Sequence, residues 1–94
     1  MNPVRDNKSW HTYILLNKKD GKWYTGSTDD LRKRFKIHND DRTTSTKNRG
    51  QFQIMYYEMC LGERDARSRE LYLKSGMGKR YVKSRLKRFL SLTG

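Results

Sequence analysis

The sequence predicts an α+β domain: a small three-stranded, mostly antiparallel sheet flanked by helices, in the order β-β-α-β-α-α. Three observations carry that reading. Two short apolar runs, residues 13–16 and 23–26, flank an Asp20-Gly21 turn signal, the pattern of a hairpin. A third run, Phe52–Cys60, alternates but is apolar on both faces, as expected of a strand covered on both sides. The other long segments repeat apolar residues at spacings of three and four, the period of a helix packed on a core.

The elements follow in order. Residues 1–9 are a polar lead-in and residues 10–94 a single domain. With Asp20 and Gly21 as the central residues of the turn, strand pairing puts Tyr13, Leu15 and Tyr24 on one face. Ser27, Thr28 or Asp29 caps a helix running to about residue 38, with Asp29 and Asp30 placed against its positive end. On that helix Leu31, Arg34, Phe35 and His38 share a stripe, so two basic groups stand among the core-facing positions. Residues 40–50, DDRTTSTKNRG, read as a polar basic loop. In the third strand Ile54 and Tyr56 are expected on one face, with Met55, Tyr57 and Met59 on the other. A second helix covers Glu63–Lys74 and stops near Gly76 and Gly78; a last one covers residues 79–92, with Val82, Leu86 and Phe89 inward.

Charge narrows the function. Twenty-two Lys and Arg against ten Asp and Glu give a formal +12 over 94 residues, spread along the whole chain. A polyanionic partner follows, and nucleic acid fits best, because cation–phosphate contacts release counterions and supply sequence-independent affinity. An anionic membrane fits less well, since the apolar residues of the most basic helix lie on a stripe suited to a core. One cysteine, Cys60, excludes an internal disulfide and a cysteine metal cluster, and two histidines exclude a histidine-rich zinc site. With neither a signal peptide nor a membrane span legible, the expected location is the cytoplasm.

Acidic residues are scarce enough to sort by role. Asp20 is in a turn, Asp29, Asp30, Glu63 and Asp65 stand at helix starts, and Asp40 and Asp41 lie in the loop. Glu70 differs, because its spacing to Ala66 and Leu73 puts it on an inward helical stripe. A carboxylate there needs a compensating charge or a metal. An ion pair with Arg67 or Lys74 satisfies it; so does one Mg2+ or Mn2+, which keeps most of its waters and needs a single carboxylate beside a substrate phosphate. One inward acid argues against a two-metal site.

His11-Thr12-Tyr13, ten residues, then Tyr24-Thr25-Gly26 resembles the paired signature of the GIY-YIG endonuclease superfamily. Ser27-Thr28, Leu31, Arg34 and His38 follow in register, then Ser45-Thr46-Lys47, Tyr56-Tyr57-Glu58 and Ala66-x-x-x-Glu70-x-x-x-Lys74-Ser75. The resemblance covers residues 10–86 and is strongest to small stand-alone members related to the nuclease half of the bacterial excision-repair incision subunit. It implies hydrolysis of DNA phosphodiester bonds with one divalent ion and low sequence specificity. By position, Tyr13 and Tyr24 correspond to the signature tyrosines, Gly26 to the close-approach glycine, Arg34 to the transition-state cation and Glu70 to the metal ligand. Tyr24 or His38 would take the proton of the attacking water. Gly26, Ser27, Arg42, Lys47, Arg49 and Lys74 would contact the nucleic acid, whether duplex, branched or single-stranded; no small-molecule cofactor is implied. The chain departs from the family in reading HTY for GIY, in Thr25 for Ile, and in having no clear Asn counterpart in residues 71–94. A non-catalytic nucleic-acid-binding module on the same fold is the rival reading, and it requires neither Glu70 nor Arg34.

Overall fold

The computed structural model describes residues 8–39 and 51–93. Its elements are β1 (Trp10–Asn17), β2 (Trp23–Thr28), α1 (Leu31–Asn39), β3 (Phe52–Cys60), α2 (Glu63–Lys74), α3 (Gly76–Arg85) and α4 (Lys87–Thr93). The strands form one antiparallel sheet in the order β2-β1-β3, so β1 is central and β2 and β3 are edges. This is the α+β class and element order that the sequence predicts, with the last helix in two pieces.

The hairpin differs from expectation in its loop. Asn17 and Lys22 close a four-residue turn: the Asn17 amide donates to the Lys22 carbonyl, and the Gly21 amide donates to the Asn17 carbonyl. Gly21 takes a positive φ, 75°. The fully buried Asn17 side chain accepts from the amides of Lys19 and Asp20, a side-chain bond that favours this longer loop. Register slips by two residues from a turn centred on Asp20-Gly21, and a slip of two preserves faces. Leu15 therefore pairs with Tyr24 and Tyr13 with Gly26, in place of Leu15 with Gly26, and Tyr13, Leu15 and Tyr24 still share a face.

The sheet is covered on both sides. Tyr13, Leu15 and Phe52 are buried with Tyr24, Leu31, Phe35 and Ile54, placing α1 on one face. Ile14, Leu73 and Val82 are buried with Trp23, Met55, Tyr56, Tyr72, Tyr81 and Leu86, placing α2 and α3 on the other. A β-bulge lets β3 serve both cores: Ile14 pairs with Tyr56 but Leu15 pairs with Ile54, leaving Met55 as the extra residue. Strict alternation puts Ile54 and Tyr56 on one face; the bulge sends them to opposite faces. Tyr56 and Glu58 consequently point toward α2.

Asp30, one residue beyond the three expected caps, caps α1, its carboxylate accepting from the Lys33 amide at 3.0 Å. Thr28 accepts from the Asp30 amide and braces that turn. At the far end, Asn39 accepts from the Phe52 amide at 2.8 Å and ties α1 to β3. The α2/α3 corner is also tighter than the sequence suggests. Ser75 closes α2 and opens α3, its hydroxyl accepting from the Gly78 amide. Gly76 and Gly78 do not stop a helix; they lie in the first turn of α3, where a Cβ on Gly78 would collide with the Tyr72 carbonyl and Leu73 Cα. Leu86 interrupts the predicted final helix, leaving helical geometry (φ −109°, ψ 20°) as its side chain packs into the second core.

Candidate active site

Edge strand β2 lies between α1 and α2, and a cleft of about 1110 Å³ opens around it. Tyr13, Tyr24, Gly26, Ser27, Arg34, His38, Glu70 and Lys74 all line this cleft. Four different elements, β1, β2, α1 and α2, thus deliver to one place the positions singled out in the sequence. Arg42, Lys47 and Arg49 lie outside the described residues.

Glu70 is positioned from two sides. Ser27 on β2 donates its hydroxyl to Oε1 at 2.7 Å, and Lys74, one helical turn on, donates to Oε2 at 2.8 Å. The carboxylate is 19% exposed and the lysine 51%, so the acid is held and its partner is free to swing into solvent. Burial alone would raise the Glu70 pKa, but the hydrogen bonds from Lys74 and Ser27 outweigh it and hold the carboxyl below its ordinary range. Glu70 is ionised at neutral pH. Ser27 and Lys74, expected as nucleic-acid contacts, are in this structure partners of the carboxylate.

Tyr13 and Gly26 are a matched pair. They face each other across the hairpin, and a Cβ on Gly26 would stand 2.5 Å from the Tyr13 hydroxyl oxygen. Only glycine leaves room for a phenol to lie over β2 and reach the cleft. Tyr24 is two residues away on the same face, its ring meeting Phe52 edge-on with centroids 5.2 Å apart.

His38 is buried between Tyr13 and Phe52, at centroid distances of 6.3 and 5.8 Å. Burial, and secondarily the charge of Arg34, lowers its pKa and keeps the imidazole neutral. Arg34 shares the expected stripe but not the burial: it is exposed at the cleft and has no acidic partner among the described residues.

Sequence reasoning missed several cleft residues. Lys22, Trp23, Arg67, Lys79 and Lys83 also line it. With Arg34 and Lys74, the four cations among them share the cleft with Glu70, the one carboxylate among the described lining residues. The signal available for Lys79 and Lys83 is their four-residue spacing, which puts both on one face of α3. It was obscured because the same helix carries Arg80 and Arg85 on other faces.

These donors fit a hydrated magnesium or manganese ion: one ionised oxygen ligand at an open cleft, oriented by a hydroxyl. Among the described residues no three His, Cys, Asp or Glu side chains converge, so these residues offer no multidentate cage.

The sequence profile of the GIY-YIG catalytic domain matches residues 9–87. The chain belongs to the GIY-YIG family. Tyr13, Tyr24, Gly26, Arg34, His38 and Glu70 all fall within the matched GIY-YIG span. The chain is 41% identical over 61 residues to UPF0213 protein CPE1444 of Clostridium perfringens, covering 64% of this chain and 66% of that protein. It is 37% identical over 65 residues to UPF0213 protein YazA of Bacillus subtilis, covering 68% and 66% respectively. The matched region thus spans slightly under two thirds of these relatives. The solution NMR structure of UPF0213 protein BH0048 from Bacillus halodurans aligns with a TM-score of 0.50 at 32% identity, over 81% of this chain and 83% of that one. GIY-YIG membership makes this a nuclease-family domain. No helix among its described residues is long and apolar enough to cross a membrane.

Proposed function

We propose that this domain is a DNA endonuclease or nicking enzyme that hydrolyses phosphodiester bonds with one divalent metal ion and little sequence preference, acting in the cytoplasm. The observation that supports this most directly is the convergence of Tyr13, Tyr24, Arg34, His38 and Glu70 on one cleft whose remaining charged residues are cations. A pure binding surface needs the cations but has no use for a half-buried carboxylate fixed by a serine.

Each side chain has a role suited to its surroundings. Glu70 would hold the Mg2+ or Mn2+, which when bound supplies Lewis-acid polarisation of the scissile phosphate. Arg34, exposed and without an acidic partner among the described residues, offsets charge developing on the phosphate. His38, which burial and Arg34 keep neutral and so already in the basic form, or Tyr24 as its phenolate accepts the proton of the attacking water. Tyr13, lying over Gly26, orients the water or a phosphate oxygen from the floor of the cleft. Ser27 keeps the Glu70 carboxylate aimed.

The test is cleavage of supercoiled plasmid and of labelled branched and single-stranded DNA, with magnesium, manganese or chelator, for the wild type and Glu70→Ala. Metal-dependent nicking that Glu70→Ala abolishes while still binding DNA is the expected result. Tight binding without cutting on every substrate returns the domain to the binding-module reading.

A further inference from the structure

The wall of the cleft formed by α3 has charge that the site chemistry leaves unused. Lys79 and Lys83 are exposed, line the cleft with Glu70 and Ser27, and have no acidic partner among the described residues. Two of the three acids of α2 are engaged elsewhere, Glu63 with Arg67 and Glu70 with Lys74, and the third, Asp65, does not line the cleft. Residues 76–93 contain Lys79, Arg80, Lys83, Arg85, Lys87 and Arg88 and no Asp or Glu at all. The helix that bears the two lysines is fixed relative to Glu70, because the Ser75 cap and the close approach at Gly78, where a Cβ would meet the Tyr72 carbonyl and Leu73 Cα, set the start of α3 against the end of α2.

We propose that the α3 face bearing Lys79 and Lys83 is a docking surface for a nucleic-acid backbone, holding the strand that runs away from the phosphate at Glu70. The assignment rests on the reading of the cleft as a phosphodiester site. Residues four apart on a helix stand about 6 Å apart at Cβ, comparable with the step between phosphates along a strand. A small anion is best held by cations converging on one point. Lys79 and Lys83 are instead arrayed along a wall, with Arg34 and Lys22 elsewhere on the lining, an arrangement suited to a repeating polyanion.

The test uses the full chain with Glu70→Gln, so that binding is read without cutting. Affinity for labelled single-stranded and duplex oligonucleotides is measured against salt for this background, with Lys79→Ala/Lys83→Ala added, and with Lys87→Ala/Arg88→Ala added as an equal loss of charge on α4. The cleft pair is expected to weaken binding and to make the log–log salt slope shallower by about 1.4 on single strands or about 1.8 on duplex. The α4 pair is expected to leave the slope nearly unchanged; whichever nucleic acid loses its slope with the cleft pair is the form held there. Equal effects of the two pairs, or an unchanged slope for the cleft pair, overturn the assignment. Cutting by the wild type is scored separately: a slope change without any cutting keeps the docking surface and removes the nuclease, and cutting without a slope change does the reverse.

Discussion

Helix α2 carries charge on two sides, and the two arrangements are built differently. Toward β3, Arg69 makes two hydrogen bonds of 2.8 and 2.7 Å to the two oxygens of Glu58. Tyr56 donates a third to Glu58, and the Arg69 guanidinium lies 4.8 Å from the Tyr72 ring centroid and 5.6 Å from that of Tyr81. Each charge there is balanced by a bidentate partner, although both side chains keep some exposure. Toward β2, Glu70 has only a serine hydroxyl and a half-exposed lysine, and it opens on a cleft with cations in surplus. Bidentate geometry and aromatic packing commit a carboxylate to structure; a flexible ammonium and one hydroxyl leave it available to a ligand.

The largest effect should come from exchanging each carboxylate for its amide. Glu70→Gln should abolish cutting while thermal unfolding, followed by circular dichroism, shifts little. Glu58→Gln should do the opposite, costing about 1.5–3 kcal/mol because a charge-assisted bidentate bond is lost, with cutting per folded molecule retained. If Glu58→Gln proved as inactive as Glu70→Gln at a temperature where it is folded, the division between the two sides would be false.

Next in size is Ser27. Removing its hydroxyl should leave Glu70 charged but poorly aimed, and losing a hydrogen bond that orients a metal ligand typically costs about 10–100-fold in metal affinity. Titration of Ser27→Ala with Mn2+ followed by electron paramagnetic resonance reads this directly. The matching change across the helix, Tyr56→Phe, should cost about 1 kcal/mol of stability and no metal affinity.

Acid separates the two sides less sharply. Hydrogen bonds from Arg69, opposed by burial and aided by Tyr56, hold the Glu58 pKa below its ordinary 4.5. A carboxylate depressed in the fold contributes stability that is present above its unfolded value and lost as pH falls through the folded value. Unfolding temperature should therefore drop below about pH 4.5, and Glu58→Gln should flatten that limb. His38 acts earlier. Because burial and Arg34 lower its value from 6.5, the unfolded chain takes up the proton first, and stability begins to decline once pH falls below that point.

How much of this was legible in the sequence follows the same division. Period and turn chemistry are local, so the hairpin, the element order and the inward place of Glu70 could be read directly. The two-sided fate of β3 could not, because the bulge at Met55 answers to packing of both cores and leaves no residue signature of its own. Nor could the Glu58–Arg69 pair, whose members are eleven residues apart and meet only because that bulge turns Glu58 toward α2. In the cleft, the resemblance picked out Tyr13 and Gly26 separately, and the strand register explains why they go together. Lys79 and Lys83 escaped notice because a basic helix shows its spacing but not which face meets the site.

Lys74 offers the smallest and sharpest contrast with Arg69. Its ammonium occupies Glu70 Oε2 at 2.8 Å, an oxygen that a divalent ion bound by this carboxylate would also use. Lysine is a single point charge on a mobile stem, so it competes for that oxygen without adding shape. Lys74→Met should therefore lower the Mn2+ concentration needed for half-saturation by a few-fold, even as it removes one cation from the cleft. Arg69→Met on the other side should give no such gain, because it strands a half-buried Glu58 and lowers stability instead. Weaker Mn2+ binding in Lys74→Met would mean that the lysine helps to aim the carboxylate, as Arg69 does for Glu58, and that the two sides of α2 are more alike than their hydrogen bonds suggest.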